Sequence, residues 1–363
     1  KRSIYAPLLA LSLLNPPPTH PRVPPPPRRP AAMCSEASAP PPPPSPPLLR
    51  VVSDIPGRGR ALLAARAIRP GEVLLVDSPV LLYPALDLPS SSSCSAFCAR
   101  CYRSLPGAAA PLFPCPGCSG QALFCSGACR AIAASSSHTP WACHALSTLR
   151  AAVPLPPPLD HPDVLSQAAF LVAAYNLASL RPDDFLRLLS LHGDAGHHLT
   201  SPEHALALHS LLSSLSPPAG LSPDLTAALL AKDKMNAFAL MEPATTTAGG
   251  GRAAERRVRA YGIYPDASFF NHDCLPNACR FDYLDGDDSG DRSTDIVVRA
   301  IHGVPEGREV CLSYFPVNWS YRERQRRLLE DYGFSCGCDR CNVEKDWKDE
   351  EAEVEAMDEE EEV

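Results

Sequence analysis

The sequence predicts an α+β fold, a β-rich domain split by two insertions and closed by a short cysteine-bearing segment. Three observations carry this. A strand–turn–strand pattern occurs twice, once near each end of the chain. Between the copies lie a cysteine-rich stretch and a run of helical periodicity. Two similar β units so far apart are best explained as one domain interrupted in sequence.

The first copy runs from a strand at 61–68 through the turn Arg69-Pro70-Gly71 to a strand at 72–76. The second has a strand at 296–301, the turn Val304-Pro305-Glu306-Gly307 and a strand at 309–314. Both place Arg-Ala-Ile before the turn (Arg66-Ala67-Ile68 and Arg299-Ala300-Ile301). Proline presets a turn φ and glycine tolerates a positive one, so each copy is expected to fold as a hairpin. Residues 162–233 read as helical. Ser201-Pro202-Glu203 and Ser222-Pro223-Asp224 each offer an N-cap serine, a first-turn proline and an acid at the positive helix end. The leucines that follow at helical spacing (Leu206, Leu211, Leu212; Leu225, Leu229, Leu230) are expected to be packing faces.

The termini differ in composition. Of 42 prolines in 363 residues, 17 fall within the first 50, and the runs at 16–18, 24–27 and 40–44 favour extended, solvated chain. Residues 1–49 are therefore expected to be disordered. The stretch 4–14 faintly resembles the apolar part of a signal peptide, and Met33 is a plausible start, so 1–32 is expected to be upstream translation or a targeting segment. The net charge of −8 is concentrated: residues 344–362 hold twelve acids against Lys345 and Lys348, leaving the remainder at about +2. That tail is expected to be disordered by self-repulsion, with basic proteins such as histones as an attracted class. No run of 18 apolar residues exists, which argues against a membrane-spanning helix. The Arg252, Arg256, Arg257, Arg259 group is expected to be a solvated face, and His192, His197 and His198 a surface loop.

Fifteen cysteines are the strongest chemical signal. Cys98-x2-Cys101, Cys115-x2-Cys118, Cys125-x3-Cys129 and His138-x4-Cys143 are four close pairs of soft ligands, enough for two tetrahedral zinc ions. A short, loop-rich segment of this kind would need metal to fold. The competing reading, a disulfide framework, requires an oxidising compartment, for which the sequence offers no good secretion signal. His144 beside Cys143 and Cys94 upstream of Cys98 remain alternative ligands. Cys336-x-Cys338-x2-Cys341 is a third cluster that needs a fourth ligand, for which Cys274 is the candidate, the alternative being a buried small hydrophobe. Cys34, Cys94, Cys279 and Cys311 receive no role.

The order Phe124-Cys125-Ser126-x2-Cys129, Trp141, Cys143 resembles the MYND zinc finger. That resemblance implies interleaved pairs: Cys98, Cys101, Cys125 and Cys129 at one ion, and Cys115, Cys118, His138 and Cys143 at the other. The chain departs from the family in the spacing of its last two ligands and in the position of Trp141. Gly57-Arg58-Gly59, Asn236-Ala237-Phe238, Asn271-His272-x-Cys274-x-Pro276-Asn277, the 309–314 strand and the final cysteine cluster occur in the order found in SET domains. With the finger inserted, residues 50–341 resemble the SET-and-MYND protein lysine methyltransferases.

The resemblance implies a β-rich SET domain interrupted by a MYND finger and a helical insert, with a zinc-binding post-SET segment and a C-terminal strand threaded through a loop. The implied boundaries are 1–49 proline-rich terminus, 50–93 first SET part, 94–143 finger, 144–235 helical insert, 236–316 second SET part, 317–341 post-SET segment and 342–363 acidic tail. It also implies S-adenosylmethionine and three zinc ions as cofactors. Backbone at Gly57, Arg58 and Gly59 would meet the cofactor, Asn236, Asn271 and His272 would hydrogen-bond it, Phe334 would pack on its adenine, and Tyr314 would be the active-site tyrosine. Cys274, Cys336, Cys338 and Cys341 would hold the third zinc. Transfer to a neutral lysine amine needs in-line alignment and a site that favours the deprotonated nucleophile. Asp273, where the family usually has serine, is expected to raise the proton affinity of His272, and Ala237 replaces another serine. Where many animal relatives carry a large helical domain, this chain passes into its acidic tail, so an open cleft is expected. The expected partners are a protein lysine, with histones as a class, and a proline-rich peptide at the finger, in a monomer of the nucleus or cytoplasm. The rival is a catalytically silent adaptor. Direct nucleic-acid binding is disfavoured, since the finger has only Arg100, Arg103 and Arg130 as basic residues.

Overall fold

The computed structural model describes residues 47–86, 97–105, 112–193, 201–218, 220–242, 257–285 and 293–347. The proline-rich residues 1–46, Cys94, His197, His198, Arg252, Arg256 and the tail from 348 lie outside them.

Four strands open the fold: β1 (Leu49–Ile55), β2 (Gly59–Ala64), β3 (Val73–Asp77) and β4 (Leu81–Pro84). The cysteine segment follows with β5 (Phe113–Pro114), β6 (Leu123–Phe124), α1 (Gly127–Ala134) and α2 (Pro140–Ala151). Then come α3 (Val164–Leu180), α4 (Pro182–Leu189), α5 (Pro202–Ser213) and α6 (Pro223–Asn236). The chain returns to strands β7 (Ala237–Met241), β8 (Val258–Ile263), β9 (Asn271–His272), β10 (Ala278–Asp282), β11 (Ile296–Ala300) and β12 (Cys311–Leu312). It ends in α7 (Tyr321–Tyr332) and α8 (Asp339–Glu344).

The two sequence copies do not form the hairpins expected of them. They pair with each other instead. β3 lies antiparallel to β11 in the sheet β10-β11-β3, Ile68 bridges to Val304, and Leu63 bridges to Glu309. Each Pro-Gly turn carries its chain from one sheet to the next rather than reversing it, so β3 finds its partner in the second copy, far away in sequence. β2 pairs with β1, and the expected 309–314 strand is reduced to β12, which runs parallel to β9. This last pairing sets Asn271 opposite Cys311 and His272 opposite Leu312.

α3 is apolar on all sides and is buried accordingly. Its Phe170 and Tyr175 join Tyr83, Leu188, Leu208, Leu212 and Leu229 in one core, with Tyr83 edge-on to Phe170 and stacked on Tyr261. A second core of Leu62, Phe238, Tyr264, Phe270, Ile296 and Val298 fills the space between the sheets. Ser222 caps α6 as expected, accepting from Leu225 N at 3.2 Å. Ser201 occupies the N-cap position of α5 without a side-chain hydrogen bond, and Leu206 points to solvent at 53% exposure, against expectation. α7 begins with a reciprocal Ser320–Glu323 capping box and ends at Gly333, whose φ of 73° suits a residue without Cβ.

Three further expectations are corrected. The segment read as loop-rich holds α1, and α2 begins within it at Pro140 and carries Cys143. Arg259 is 5% exposed and paired with Asp285, because its guanidinium also donates to the carbonyls of Met241 and Tyr102. Glu344 belongs to α8 and pairs with Arg324 and Arg340, so the start of the acidic stretch is part of the fold. Among the described residues no helix is long and apolar enough to cross a membrane.

Candidate active site and metal centres

The β1–β2 connection has glycines at φ +73° (Gly57) and +67° (Gly59), a conformation side chains resist, and the face where either Cβ would stand is open. Between them Arg58 turns back into the protein, donating to His272 O at 2.9 Å and pairing with Glu309 at 3.0 Å. Asn271 Nδ2 donates to Arg60 O at 3.0 Å and Glu309 Oε1 at 2.9 Å. Its amide orientation is fixed because every neighbour of that nitrogen is an acceptor. The glycine turn, β9 and the approach to β12 are thereby brought together.

His272 is 3% exposed. Its Nδ1 accepts the backbone N–H of Tyr314 at 3.1 Å, which leaves the proton on Nε2, 3.1 Å from Cys274 Sγ. Burial holds the proton affinity of His272 below the usual histidine range; Asp273 acts upward, as expected, and so does Cys336, but desolvation outweighs them. The Tyr314 hydroxyl donates to Phe270 O at 3.0 Å, and burial pushes the phenol upward, keeping it protonated. Its ring lies against His272 and Tyr332, at centroid distances of 5.2 and 4.9 Å. Phe334 is 38% exposed, with its ring 6.5 Å from that of His272.

Asn236 is not in direct contact with this group. Its Nδ2 donates to Lys232 O and to His192 O at 2.7 Å. The same loop receives Arg60, which donates to Ser190 O, so Asn236 reaches Asn271 through two intermediaries.

Three ligand groups assemble, each with its four donor atoms within 4.8 Å of one another: Cys98, Cys101, Cys125 and Cys129; Cys115, Cys118, His138 and Cys143; Cys274, Cys336, Cys338 and Cys341. Sulfur separations such as 3.8 Å (Cys101–Cys125), 3.7 Å (Cys115–Cys143) and 3.4 Å (Cys341–Cys274) lie near the roughly 3.8 Å edge expected of a tetrahedron with zinc–sulfur bonds of about 2.3 Å. They are far from the roughly 2 Å of a disulfide. His138, with Nε2 3.7 Å from Cys118 Sγ, is the histidine grouped with the three cysteines, while His144 is exposed. The donor sets therefore fit zinc.

Four residues with clear work here were missed in the sequence. Glu309 joins Arg58 to Asn271. Gln325 donates to Cys341 Sγ at 3.2 Å and accepts from Cys336 N at 2.9 Å. Arg324, fully buried, lies between that cluster and Glu344, and Arg340 donates to Cys274 O. Such supporting contacts orient metal ligands. The sequence hint was an arginine-rich helix opening with a capping box just ahead of the cysteines.

A family model described as the SET domain matches residues 59–315. The chain is 52% identical over 321 residues to histone-lysine N-methyltransferase ASHR2 of Arabidopsis thaliana, covering 86% of this chain and 76% of that protein. To histone-lysine N-methyltransferase ASHR1 of the same plant it is 24% identical over 306 residues, covering 80% of this chain and 54% of that protein. A solved SET domain of LSMT bound to lysine and AdoHcy aligns at 14% identity and a TM-score of 0.34, covering 80% of this chain and 54% of that one. With the domain spanning most of its length and the identity to ASHR2 extending over most of both proteins, the chain belongs to the SET-domain methyltransferase family.

Proposed function

We propose that the chain is an S-adenosylmethionine-dependent protein-lysine N-methyltransferase acting on histones. The observation that carries this is the convergence of the 57–59 turn, Asn271, His272 and Tyr314, within or beside the span matched by the SET-domain model.

The residues fit the cofactor. The open face of the glycine turn admits close backbone approach, and Asn271 and Asn236 both spend their NH2 groups on protein acceptors, leaving Oδ1 as acceptors suited to an ammonium. Partly exposed Phe334 offers a face for an adenine. When bound, S-adenosylmethionine supplies an electrophilic methyl group. Tyr314 keeps its proton on the Phe270 carbonyl, so its oxygen lone pairs are available to an amine N–H and can aim the nitrogen lone pair. The apolar wall of Tyr314, Tyr332 and Phe315 excludes water and disfavours a charged lysine.

In the finer reading, the cysteine segment is a MYND-type finger holding two zinc ions, and the third cluster is a zinc-binding post-SET segment that holds Phe334 near His272. Zinc there is structural. The finger takes proline-rich peptides, and the protein works as a monomer in the nucleus or cytoplasm.

The test is methyl transfer from labelled S-adenosylmethionine to histones by the full chain, with Tyr314→Phe alongside. Transfer reduced at least about 100-fold in the variant, with cofactor binding retained, supports the reading. Equal rates in both proteins would refute the role given to Tyr314.

A further inference from the structure

We propose that Glu309 is a positioning residue for the cofactor site, a single carboxylate that clamps the 57–59 turn to Asn271. The proposal rests on the methyltransferase reading above and names a residue that this reading does not require.

Each oxygen of Glu309 has its own partner. Oε2 pairs with Arg58 Nε at 3.0 Å, and Oε1 accepts from Asn271 Nδ2 at 2.9 Å. The carboxylate starts from a fixed backbone. Glu309 bridges to Leu63 on β2, and its carbonyl accepts from Asn277 Nδ2 at 2.8 Å. Asn277 Oδ1 in turn accepts from Cys311 N at 2.8 Å. The Glu309 side chain is 16% exposed, so water competes little for these charge-assisted bonds.

The clamp joins three stretches distant in sequence: the β1–β2 turn, β9 and the approach to β12. Backbone hydrogen bonds already tie β2 to the approach to β12 and β9 to β12. Within the 57–59 turn itself, Arg58 is the one side chain between two glycines, and Glu309 is the carboxylate it meets. Without Glu309, Arg58 retains the His272 carbonyl and a 3.5 Å contact to Cys311 Sγ, both on one side of its guanidinium. Asn271 would then keep only carbonyl partners at Arg60 and, more weakly, Arg58. Its amide would keep its sense but lose its charged acceptor, and the Oδ1 acceptor would be aimed less firmly. Glu309 touches no reacting atom in this account; it acts through Arg58 and Asn271.

A merely structural ion pair would change stability and leave cofactor affinity in proportion. A positioning role predicts coupling to Asn271. We therefore specify calorimetric titration of S-adenosylhomocysteine into four full-length zinc-loaded proteins: the natural chain, Glu309→Gln, Asn271→Ala and the double variant. Melting temperatures are recorded for each. A hydrogen bond to a charged group is worth enough that Glu309→Gln should weaken binding about tenfold. The double variant should bind within about twofold of Asn271→Ala, because the clamp has nothing left to hold. Binding by Glu309→Gln within twofold of the natural chain, or penalties that simply add, would overturn the proposal. If Glu309→Gln fails to fold, Arg58→Met tests the clamp from its partner, whose side chain is a third exposed and whose role toward the cofactor lies in its backbone. The same tenfold loss is expected there, and undiminished affinity would overturn the clamp. Absence of binding by the natural chain would overturn the underlying reading as well, and would be seen before any variant is compared.

Discussion

The cysteine segment and the helical insert are neighbours in sequence, yet they are ordered by different forces. The insert is organised by burial: Phe170, Leu171 and Tyr175 on α3 are sealed under β4 and the other helices, with Leu188, Leu208, Leu212 and Leu229 around them. The cysteine segment has little comparable mass. Its core consists of Phe124, small residues such as Ala122 and Ala133, and the ligand cysteines themselves. One region is thus held by apolar packing, while the other has donor groups that could hold a metal in place of a large core.

The sharpest way to break this comparison is to withhold or chelate the zinc proposed for the cysteine segment. Structural zinc supplies on the order of 10 kcal/mol in small sites. Chelation should therefore abolish hydrogen-exchange protection in α1 and the β5–β6 pair while the amides of α3 stay protected. Equal loss in both regions would mean that the insert depends on the cysteine segment. The reverse experiment is Phe170→Ala, which removes a fully buried ring from the insert. We expect a loss of about 3–5 kcal/mol in denaturant unfolding, with zinc stoichiometry unchanged. The smallest effect separates two similar sequences. Ser222→Ala should cost about 1 kcal/mol because its cap bond exists, whereas Ser201→Ala, lacking one, should cost close to nothing. Paired unfolding curves measure both.

The same contrast explains what could be read from the chain. The ligand groups were legible because metal spacing is a local code: Cys98 and Cys101 announce each other across two residues, and the group at 274, 336, 338 and 341 was found by counting to four. The choice between His138 and His144 was not local, since it depends on which face of α2's entry is turned inward. Strand identity was visible, but pairing was not. Pro-Gly turns at 70–71 and 305–307 looked like hairpin signals, while the hydrogen bonds of each copy go to the other copy, as from Ala64 N to Arg308 O and from Val310 N to Leu62 O. Alternating apolar residues specify a buried face and leave the partner open. Glu309 escaped notice for the same reason. An acid after a turn is commonplace, and its meaning comes from Arg58 and Asn271 meeting it in space. Asp273 acts on His272 in the direction its sequence position suggests, but burial, which sequence does not display, outweighs it.

The central claim is that the glycine turn and the Asn271-His272 strand form a cofactor site. Its most direct test is calorimetric binding of S-adenosylhomocysteine to the zinc-loaded full chain, compared with a folded Asn271→Ala, His272→Ala variant. Saturable, one-to-one binding is expected of the natural chain and none of the variant. A folded, zinc-replete natural chain that binds no S-adenosylhomocysteine would contradict it.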